Sequence, residues 1–236
     1  MKRIVMLFIR CGLFAPFWYF QLLKYGKPDK YDDETRYSIV QKVNNGILKR
    51  SRVNIICTGT ENIPKESGYI IYPNHQGLFD MLLFLNTHEK PLNVVIKKEA
   101  RNIHLLRRIL NALDALAIDR EDVRQSMTVI VEMAKRVKEG KNFVIFPEGT
   151  RSKNGNVVGT FKAGSFKAAT KSKCPIVPAA LIDSYKPFDC NNIKKCTVQL
   201  HYLPPIYYDE YKDMKTNDIA LMVQNQVQDA INQHLK

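Results

Sequence analysis

Residues 69–80 read Tyr-Ile-Ile-Tyr-Pro-Asn-His-Gln-Gly-Leu-Phe-Asp, an apolar run that ends in a proline and a polar turn. The run predicts a buried strand, and Pro73 and Gly77 predict a bend directly after it. On an unbroken helix the side chains of His75 and Asp80 would diverge by about 140°. The bend lets them meet, so that Asp80 accepts a hydrogen bond from one ring nitrogen of His75 and leaves the other nitrogen as a base.

The same spacing has a structural alternative. His75 would cap the following helix, and Asp80 would lie in its first turn, where the helix dipole favours a carboxylate. The spacing of the two residues does not by itself choose between catalysis and capping.

Short apolar runs alternate with longer patterned segments along the chain. The predicted strands are Val53–Cys57, Tyr69–Tyr72, Leu92–Ile96, Leu116–Ile118, Phe143–Phe146, Ile176–Leu181 and Val198–Tyr202. Helices are predicted at Leu105–Leu113, Val123–Lys138 and Thr216–Leu235, with Asp122 as N-cap and Gly140 as stop of the second. This alternation predicts an α/β domain with a largely parallel or mixed sheet flanked by helices, whose ligands bind beyond the carboxyl ends of the strands.

A second strand leads into a polar turn at residues 143–152, Phe-Val-Ile-Phe-Pro-Glu-Gly-Thr-Arg-Ser. Gly149 allows backbone N–H groups to approach a ligand, Thr150 offers a hydroxyl, and Arg151 presents a planar fork suited to phosphate. Glu148 would repel a phosphate, so we expect it to orient Arg151 or to accept a hydrogen bond from a substrate hydroxyl. The alternative is a surface turn with a solvated Glu–Arg pair.

Composition limits the partners of the chain. Its 236 residues carry a formal charge of +13, which favours an acidic partner such as a phospholipid surface, an acidic carrier protein, a phosphorylated substrate or nucleic acid. The basic residues are scattered and no aromatic strand motif for bases is present, so nucleic acid is the least favoured. The five cysteines form no Cys-x-x-Cys pair, and the other histidines show no metal-ligand spacing, so no metal site is predicted.

The amino-terminal segment is apolar but interrupted. Ile4–Leu23 contains Arg10 and Pro16, and a charged residue at the centre of a spanning helix costs roughly 2.5–3.5 kcal/mol. An interfacial helix or hairpin is favoured over a spanning helix, a secretory signal or a helix packed on the protein's own core. In this interpretation Lys2, Arg3, Arg10 and Lys24 reach anionic headgroups, while Phe14, Phe17, Trp18 and Phe20 enter the acyl region.

Two parts of the chain are predicted. Residues 1–45 form the membrane-associating helical segment, a polar joint and one connecting helix, and residues 46–236 form the catalytic domain.

Four sequence blocks together make the chain resemble the 1-acylglycerol-3-phosphate O-acyltransferases, a family of glycerolipid acyltransferases. Asn74–Asp80 is similar to the family's catalytic block, and Phe146–Ser152 is similar to its glycerol-phosphate-binding block. Lys97–Glu99 with Ile118–Arg120 resembles the acceptor-binding block, and Val177–Leu181 resembles the apolar fourth block.

The resemblance implies transfer of a fatty acyl chain from a thioester to the sn-2 hydroxyl of 1-acylglycerol-3-phosphate, giving phosphatidic acid. It implies the following roles: His75 and Asp80 are catalytic; Glu148, Gly149, Thr150, Arg151, Arg120 and Lys97 bind the acceptor and its phosphate; Asn74 and Gly77 support the oxyanion or the loop. The donor is an acyl carrier protein or coenzyme A thioester, which acts as a co-substrate, and no cofactor is expected.

Other interpretations remain open at this point. The acceptor is glycerol-3-phosphate or another lysophospholipid in the first alternative, and the chain is a non-catalytic basic membrane-binding module in the second. We expect a peripheral or monotopic protein on the cytoplasmic face of the cell membrane, bound to its anionic surface, with a single-spanning segment as the alternative.

Overall fold

The computed structural model describes residues 2–235, except for the side chain of Leu105. Met1 and Lys236, the outer ends of the two predicted parts of the chain, lie outside the described residues. Each of the seven predicted strands is present. They are β1 (Val53–Thr58), β2 (Ile70–Pro73), β3 (Leu92–Lys97), β4 (Leu116–Ile118), β5 (Asn142–Val144), β6 (Ile176–Ile182) and β7 (Cys196–Tyr202).

The strands form one sheet in the order β1-β7-β6-β2-β5-β3-β4. Neighbouring strands are parallel except β6 and β7, so the predicted mixed sheet is confirmed. Ile71 of β2 lies opposite Val144 of β5 and Val177 of β6. Because β6, β2, β5, β3 and β4 run in one direction, the turns that follow them gather along a single edge of the sheet.

Ten α-helices accompany the sheet in the part of the chain that the structure describes. They are α1 (Lys2–Cys11), α2 (Ala15–Tyr25), α3 (Asp33–Leu48), α4 (Asp80–Thr87), α5 (His104–Ala112), α6 (Val123–Lys138), α7 (Ala163–Ser172), α8 (Lys186–Asp189), α9 (Tyr208–Tyr211) and α10 (Thr216–His234). The predicted caps of α6 are confirmed, since Asp122 accepts hydrogen bonds from the N–H groups of Arg124 and Gln125, and Gly140 has a φ of 87°.

Alternate residues of the central strands face two separate cores. On β2, Ile71 packs in the first core, whereas Ile70 and Tyr72 pack in the second. The first core is completed by α1–α5, and the second by α6, α7, α9 and α10. Helices thus cover both faces of the sheet, and polar side chains gather at the strand ends.

The amino-terminal helices α1 and α2 are bent by 81° relative to each other. Leu7, Cys11 and Leu22 pack in the first core, so one side of the segment lies against the protein's own interior. The opposite side exposes large apolar residues: Val5, Phe8, Ile9, Leu13, Phe14, Phe17 and Phe20. No single helix among residues 2–235 is long and apolar enough to cross a bilayer, although α1 and α2 together, as a bent pair, meet that length and composition.

Two residues of this segment lie elsewhere than predicted. Arg3 is 1% exposed and donates hydrogen bonds to the carbonyl oxygens of Pro187, Ser51 and Lys194, so its predicted headgroup contact is wrong. The predicted insertion of Trp18 among acyl chains is also wrong, because its ring packs in the first core. Both errors arise because the sequence shows that a segment is amphipathic but not how far its polar side chains reach into the fold.

The boundary predicted between residues 1–45 and 46–236 stays a prediction. The helix α3 runs across it, and Tyr37 and Val40 of that helix share the first core with the strands.

We expect Gly46→Ala to displace Trp18 from the surface of α3. A methyl group at residue 46 would lie 2.3 Å from Cζ2 of Trp18, which is closer than two carbon atoms can approach. The free energy of unfolding should fall by about 1–3 kcal/mol, a typical cost of overpacking. Because Trp18 is the sole tryptophan of the chain, its fluorescence emission should shift to longer wavelength.

Gly164→Ala in α7 is the matched control, since no atom lies within 4 Å of the added methyl group. It should leave the emission unchanged and stabilise the helix by up to about 1 kcal/mol. An emission maximum that does not move in Gly46→Ala would contradict the packing of Trp18 on α3.

Candidate active site

His75 and Asp80 meet in the turn between β2 and α4. The Nδ1 atom of His75 lies 2.7 Å from Oδ2 of Asp80, and the carboxylate side chain is 0% exposed. The turn therefore brings the two side chains together as predicted, at the carboxyl edge of the sheet. Their catalytic roles stay predictions.

The contact with Asp80 determines where the proton of His75 lies. An ionised carboxylate only accepts hydrogen bonds, so Nδ1 of neutral His75 carries the proton and Nε2 keeps the lone pair. The ring stacks on Phe146 with centroids 4.2 Å apart, which holds its plane. Within residues 2–235 Nε2 has no hydrogen-bond partner, so His75 presents a free basic nitrogen on an oriented ring.

Asp80 also binds the backbone of its own turn. Its Oδ2 atom accepts hydrogen bonds from the N–H groups of Gln76 at 2.8 Å and Gly77 at 3.0 Å. Asp80 is the first residue of α4, so it lies in the first turn of that helix, as the capping alternative predicted. The other half of that alternative is wrong, because the N-cap is Phe79 without a side-chain hydrogen bond, and His75 pairs with Asp80 instead. Because the Gly77 N–H is bound to Asp80, the geometry favours loop support over the predicted oxyanion role for Gly77.

Glycine at residue 77 serves close packing rather than an unusual backbone conformation. Its φ is not among the positive values of the chain, so the turn does not need the left-handed conformation that glycine permits. A Cβ atom here would instead lie 3.3 Å from Cα of Tyr185. Glycine lets the segment after β6 approach the turn after β2 closely.

Asn74 connects the turn to β6. Its side chain accepts a hydrogen bond from the N–H of Leu181 at 2.7 Å and donates one to the carbonyl oxygen of Leu181 at 3.0 Å. Of the two roles predicted for Asn74, these contacts favour loop support, because the amide is occupied by the neighbouring strand.

Glu148 is a buried link between turns. Its side chain accepts hydrogen bonds from the N–H groups of His75, at 2.8 Å, and of Gly159. Burial raises the pKa of Glu148, and the hydrogen bonds from His75 and Gly159 oppose that rise. Glu148 forms no ion pair with Arg151, so the predicted orientation of Arg151 and the alternative of a solvated Glu–Arg pair are both wrong. The reason is that the carboxylate points inward to backbone donors.

The rest of this turn presents unpaired cations. Gly149 has a φ of 70°, and Nζ of Lys162 lies 3.0 Å from the position that a Cβ atom on Gly149 would take. Thr150 and Arg151 are exposed. Among the described residues the guanidinium of Arg151 has no hydrogen-bond or ion-pair partner. Two positive groups beside a glycine turn form a surface suited to an anion.

Lys97 and Arg120 lie further along the same edge. Lys97 ends β3 and Arg120 follows β4, which places these strand ends about 10 and 14 Å from β2 by the spacing of neighbouring strands. The ammonium of Lys97 pairs with Glu99 at 3.3 Å. Arg120 is exposed and forms no ion pair within residues 2–235, so it is the freer of the two to bind an acceptor.

The contact of Ser184 with Asp80 was not predicted from the sequence. Ser184 follows β6, and its Oγ atom lies 2.5 Å from Oδ1 of Asp80. A serine after an apolar run carries no signal by itself, and only the position of β6 next to β2 brings it to the carboxylate. The contacts of Phe146 with His75 and of Lys162 with Gly149 were likewise not predicted, because they depend on side-chain packing between turns.

Comparison with known proteins agrees with this arrangement. Residues 54–182 match the family model described as Acyltransferase, a range that contains both turns and more than half of the chain. The chain therefore belongs to the Acyltransferase family.

Relatives and a solved structure extend the match. The chain is 30% identical over 177 residues to the 1-acyl-sn-glycerol-3-phosphate acyltransferase of Borreliella burgdorferi, covering 74% of this chain and 70% of that protein. It is 28% identical over 162 residues to the probable 1-acyl-sn-glycerol-3-phosphate acyltransferase of Mycoplasma pneumoniae, covering 66% and 60% respectively. The crystal structure of the 1-acyl-sn-glycerophosphate (LPA) acyltransferase PlsC from Thermotoga maritima superposes with a TM-score of 0.80 at 21% identity, covering 99% of this chain and 97% of that one, which confirms the predicted fold class.

We expect Asn74→Ala to destabilise the protein. The change removes both partners of the Leu181 backbone groups in a buried site, and each unsatisfied group costs about 1–3 kcal/mol. Denaturant unfolding should therefore show a lower midpoint. Asn154→Ala removes the same amide from an exposed position and should leave the midpoint unchanged; equal midpoints for the two variants would contradict the role assigned to Asn74.

Proposed function

We propose that the protein transfers a fatty acyl chain from a thioester to the sn-2 hydroxyl of 1-acylglycerol-3-phosphate, giving phosphatidic acid. The observation that carries the proposal is the free Nε2 of His75, on a ring bound to buried Asp80, one hydrogen bond away from an anion-binding turn. The named activity of the relatives from Borreliella burgdorferi and Mycoplasma pneumoniae supports the choice of acceptor.

The reaction needs one well-placed base. Nε2 of His75 takes the proton of the acceptor hydroxyl while the oxygen of that hydroxyl attacks the thioester carbonyl carbon. The tetrahedral intermediate then expels the thiolate, and the imidazolium returns the proton to sulfur, so a C–O bond replaces a C–S bond. A thiolate is a good leaving group, so no acyl-enzyme is required.

The acceptor phosphate is held by the turn after β5. Arg151, Gly149 and Thr150 bind it in this proposal, with Lys162 beside them and Arg120 further along the edge. Glu148 connects this turn to His75 through the backbone, so a phosphate bound to Arg151 has a set distance from the base. Such positioning lowers the barrier by replacing a bimolecular encounter with a bound geometry.

The donor is an acyl carrier protein or coenzyme A thioester, and both are anionic. The net charge of +13 supports an acidic donor of either kind. The thioester is a co-substrate, and the proposal requires no cofactor.

Kinetics of His75→Ala and Arg151→Ala test the proposal with lysophosphatidate and each donor. Loss of the base should lower kcat about 10²- to 10⁴-fold. Loss of a charged phosphate ligand should raise the acceptor KM about ten- to a hundredfold, with a smaller effect on kcat.

Lys138→Ala is the control, because it removes one exposed positive charge at the end of α6, away from the carboxyl edge. It should leave both parameters unchanged. Faster turnover of glycerol-3-phosphate or of another lysophospholipid would assign a different acceptor, and full activity of His75→Ala would reject the catalytic proposal.

We also propose that the exposed apolar side of α1 and α2 inserts into the anionic cytoplasmic surface of the cell membrane. Leu13 is 92% exposed and Phe17 is 56% exposed, and both are among the seven large apolar residues that α1, α2 and the turn between them expose. Acceptor and product are lipids of that leaflet, so the enzyme must reach the bilayer. Deleting the segment would also uncover the first core, so surface substitutions give the sharper test.

Leu13→Glu with Phe17→Glu should reduce binding to vesicles containing phosphatidylglycerol about tenfold or more, measured by co-sedimentation. Val131→Glu with Leu221→Glu introduces the same charges at exposed apolar positions of α6 and α10. Equal binding by the two double variants would argue against insertion of α1 and α2.

A further inference from the structure

Asp80 receives a donor that comes from outside its own turn. The hydroxyl of Ser184 lies 2.5 Å from Oδ1 of Asp80, on the side of the carboxylate away from His75, which binds Oδ2. Ser184 is 0% exposed. Its single proton has two neighbouring acceptors, Asp80 and Oε1 of Gln76 at 3.0 Å, and the ionised carboxylate at the shorter distance is the stronger one.

The position of Ser184 is set by a second group of hydrogen bonds. Its N–H donates to Oε1 of Gln76 at 2.8 Å, and the amide nitrogen of Gln76 donates to Oδ1 of Asn156 at 2.8 Å. Asn156 in turn accepts from the N–H of Asp183 at 2.9 Å. The group closes on itself and joins the turn after β2, the loop after β5 and the segment after β6.

The backbone conformation before Ser184 is unusual. Asp183 has a φ of 61°, in the left-handed region that residues other than glycine seldom adopt. Its carboxylate is held by the amide of Asn156 and the ammonium of Lys186. This conformation ends β6 and directs the next side chain towards Asp80, and such strain concentrates at functional sites.

From these contacts we propose that Ser184 is a positioning residue of the reaction, which acts on His75 through Asp80. A hydroxyl proton on Oδ1 draws negative charge from the oxygen that faces His75 and keeps the carboxylate plane aligned with the ring. The inference rests on the proposed function only in taking His75 as the base. Two other acidic groups face the pair: Glu148, bound to the His75 backbone, and Asp189 of α8, which lies beside Gly77.

The sign of the effect follows from electrostatics. Without the Ser184 hydroxyl more negative charge remains on the oxygen that faces His75, so the protonated ring is stabilised relative to the neutral one. The acid limb of the pH–rate profile should move to higher pH by about half a unit in Ser184→Ala. Loss of alignment should lower kcat about tenfold, with the acceptor KM unchanged.

Two measurements on the full chain in detergent micelles test this. The first follows the ring ¹⁵N signals of His75 against pH, which gives its titration midpoint without turnover. The second is the pH–rate profile with lysophosphatidate. Ser184→Cys is similar in size but a weaker donor, and it should shift both midpoints in the same direction by less. If Ser184→Ala does not fold, the midpoints of Ser184→Cys still test the proposal.

Ser51→Ala is the matched control. Ser51 is also 0% exposed, and its hydroxyl donates to the carbonyl oxygen of Leu48, so its loss should reduce stability without moving either midpoint. Midpoints in the Ser184 variants that stay at the wild-type value, or fall below it, overturn the positioning role. If the ¹⁵N midpoint rises in the Ser184 variants while the wild-type chain transfers no acyl group, the Ser184–Asp80–His75 linkage is upheld and the proposed function alone is rejected.

Discussion

The burial of one carboxylate is the constraint on which the site depends. The Asp80 side chain has no exposure, and an ionised carboxylate without partners in such a place would be strongly unfavourable. Its oxygens are instead met by His75, by the N–H groups of Gln76 and Gly77, and by Ser184. These donors lie on the turn after β2 and the segment after β6. The full set of hydrogen bonds to the carboxylate therefore exists only when β2 and β6 are neighbours, so the His75–Asp80 pair depends on the order of the central strands.

Glu148 is a second buried carboxylate that is satisfied by hydrogen bonds from within the protein. It is 6% exposed and its donors are backbone N–H groups of His75 and Gly159, so its charge is used inside the protein. A carboxylate directed at the proposed phosphate site would repel the ligand. Because Glu148 points inward, Arg151 and Lys162 at the same turn keep their positive charge for an anion from solvent. In the proposed function the same turn can therefore hold an acid and bind a phosphate, and the acid links the phosphate site to the base.

The sequence predicted the parts of this arrangement that depend on local pattern. All seven strands, α6 with its caps at Asp122 and Gly140, and the meeting of His75 with Asp80 follow from hydrophobic runs and turn residues. The helix α7 was not predicted, because its sequence is rich in small residues and has Phe166 as its only large apolar residue, so it lacks a clear apolar stripe. The partners of Glu148, Arg3 and Ser184 could not be predicted either, since each depends on segments far apart in the chain. Ser184 is 104 residues from Asp80, and only strand order places it there.

The amino-terminal helices are connected through α8 to the segments that surround Asp80. The guanidinium of Arg3 in α1 donates to the carbonyl oxygen of Pro187 in α8, and α8 begins two residues after Ser184. On the other side, Phe188 of α8 packs edge-on against Phe79 at the start of α4. The exposed apolar side of α1 and α2 is thus held in a set orientation to the turn that carries His75. A lipid acceptor has its reacting hydroxyl close to the headgroup. If α1 and α2 insert as proposed, their packing into one unit with His75 makes the depth of insertion also set the position of the proposed base relative to that hydroxyl.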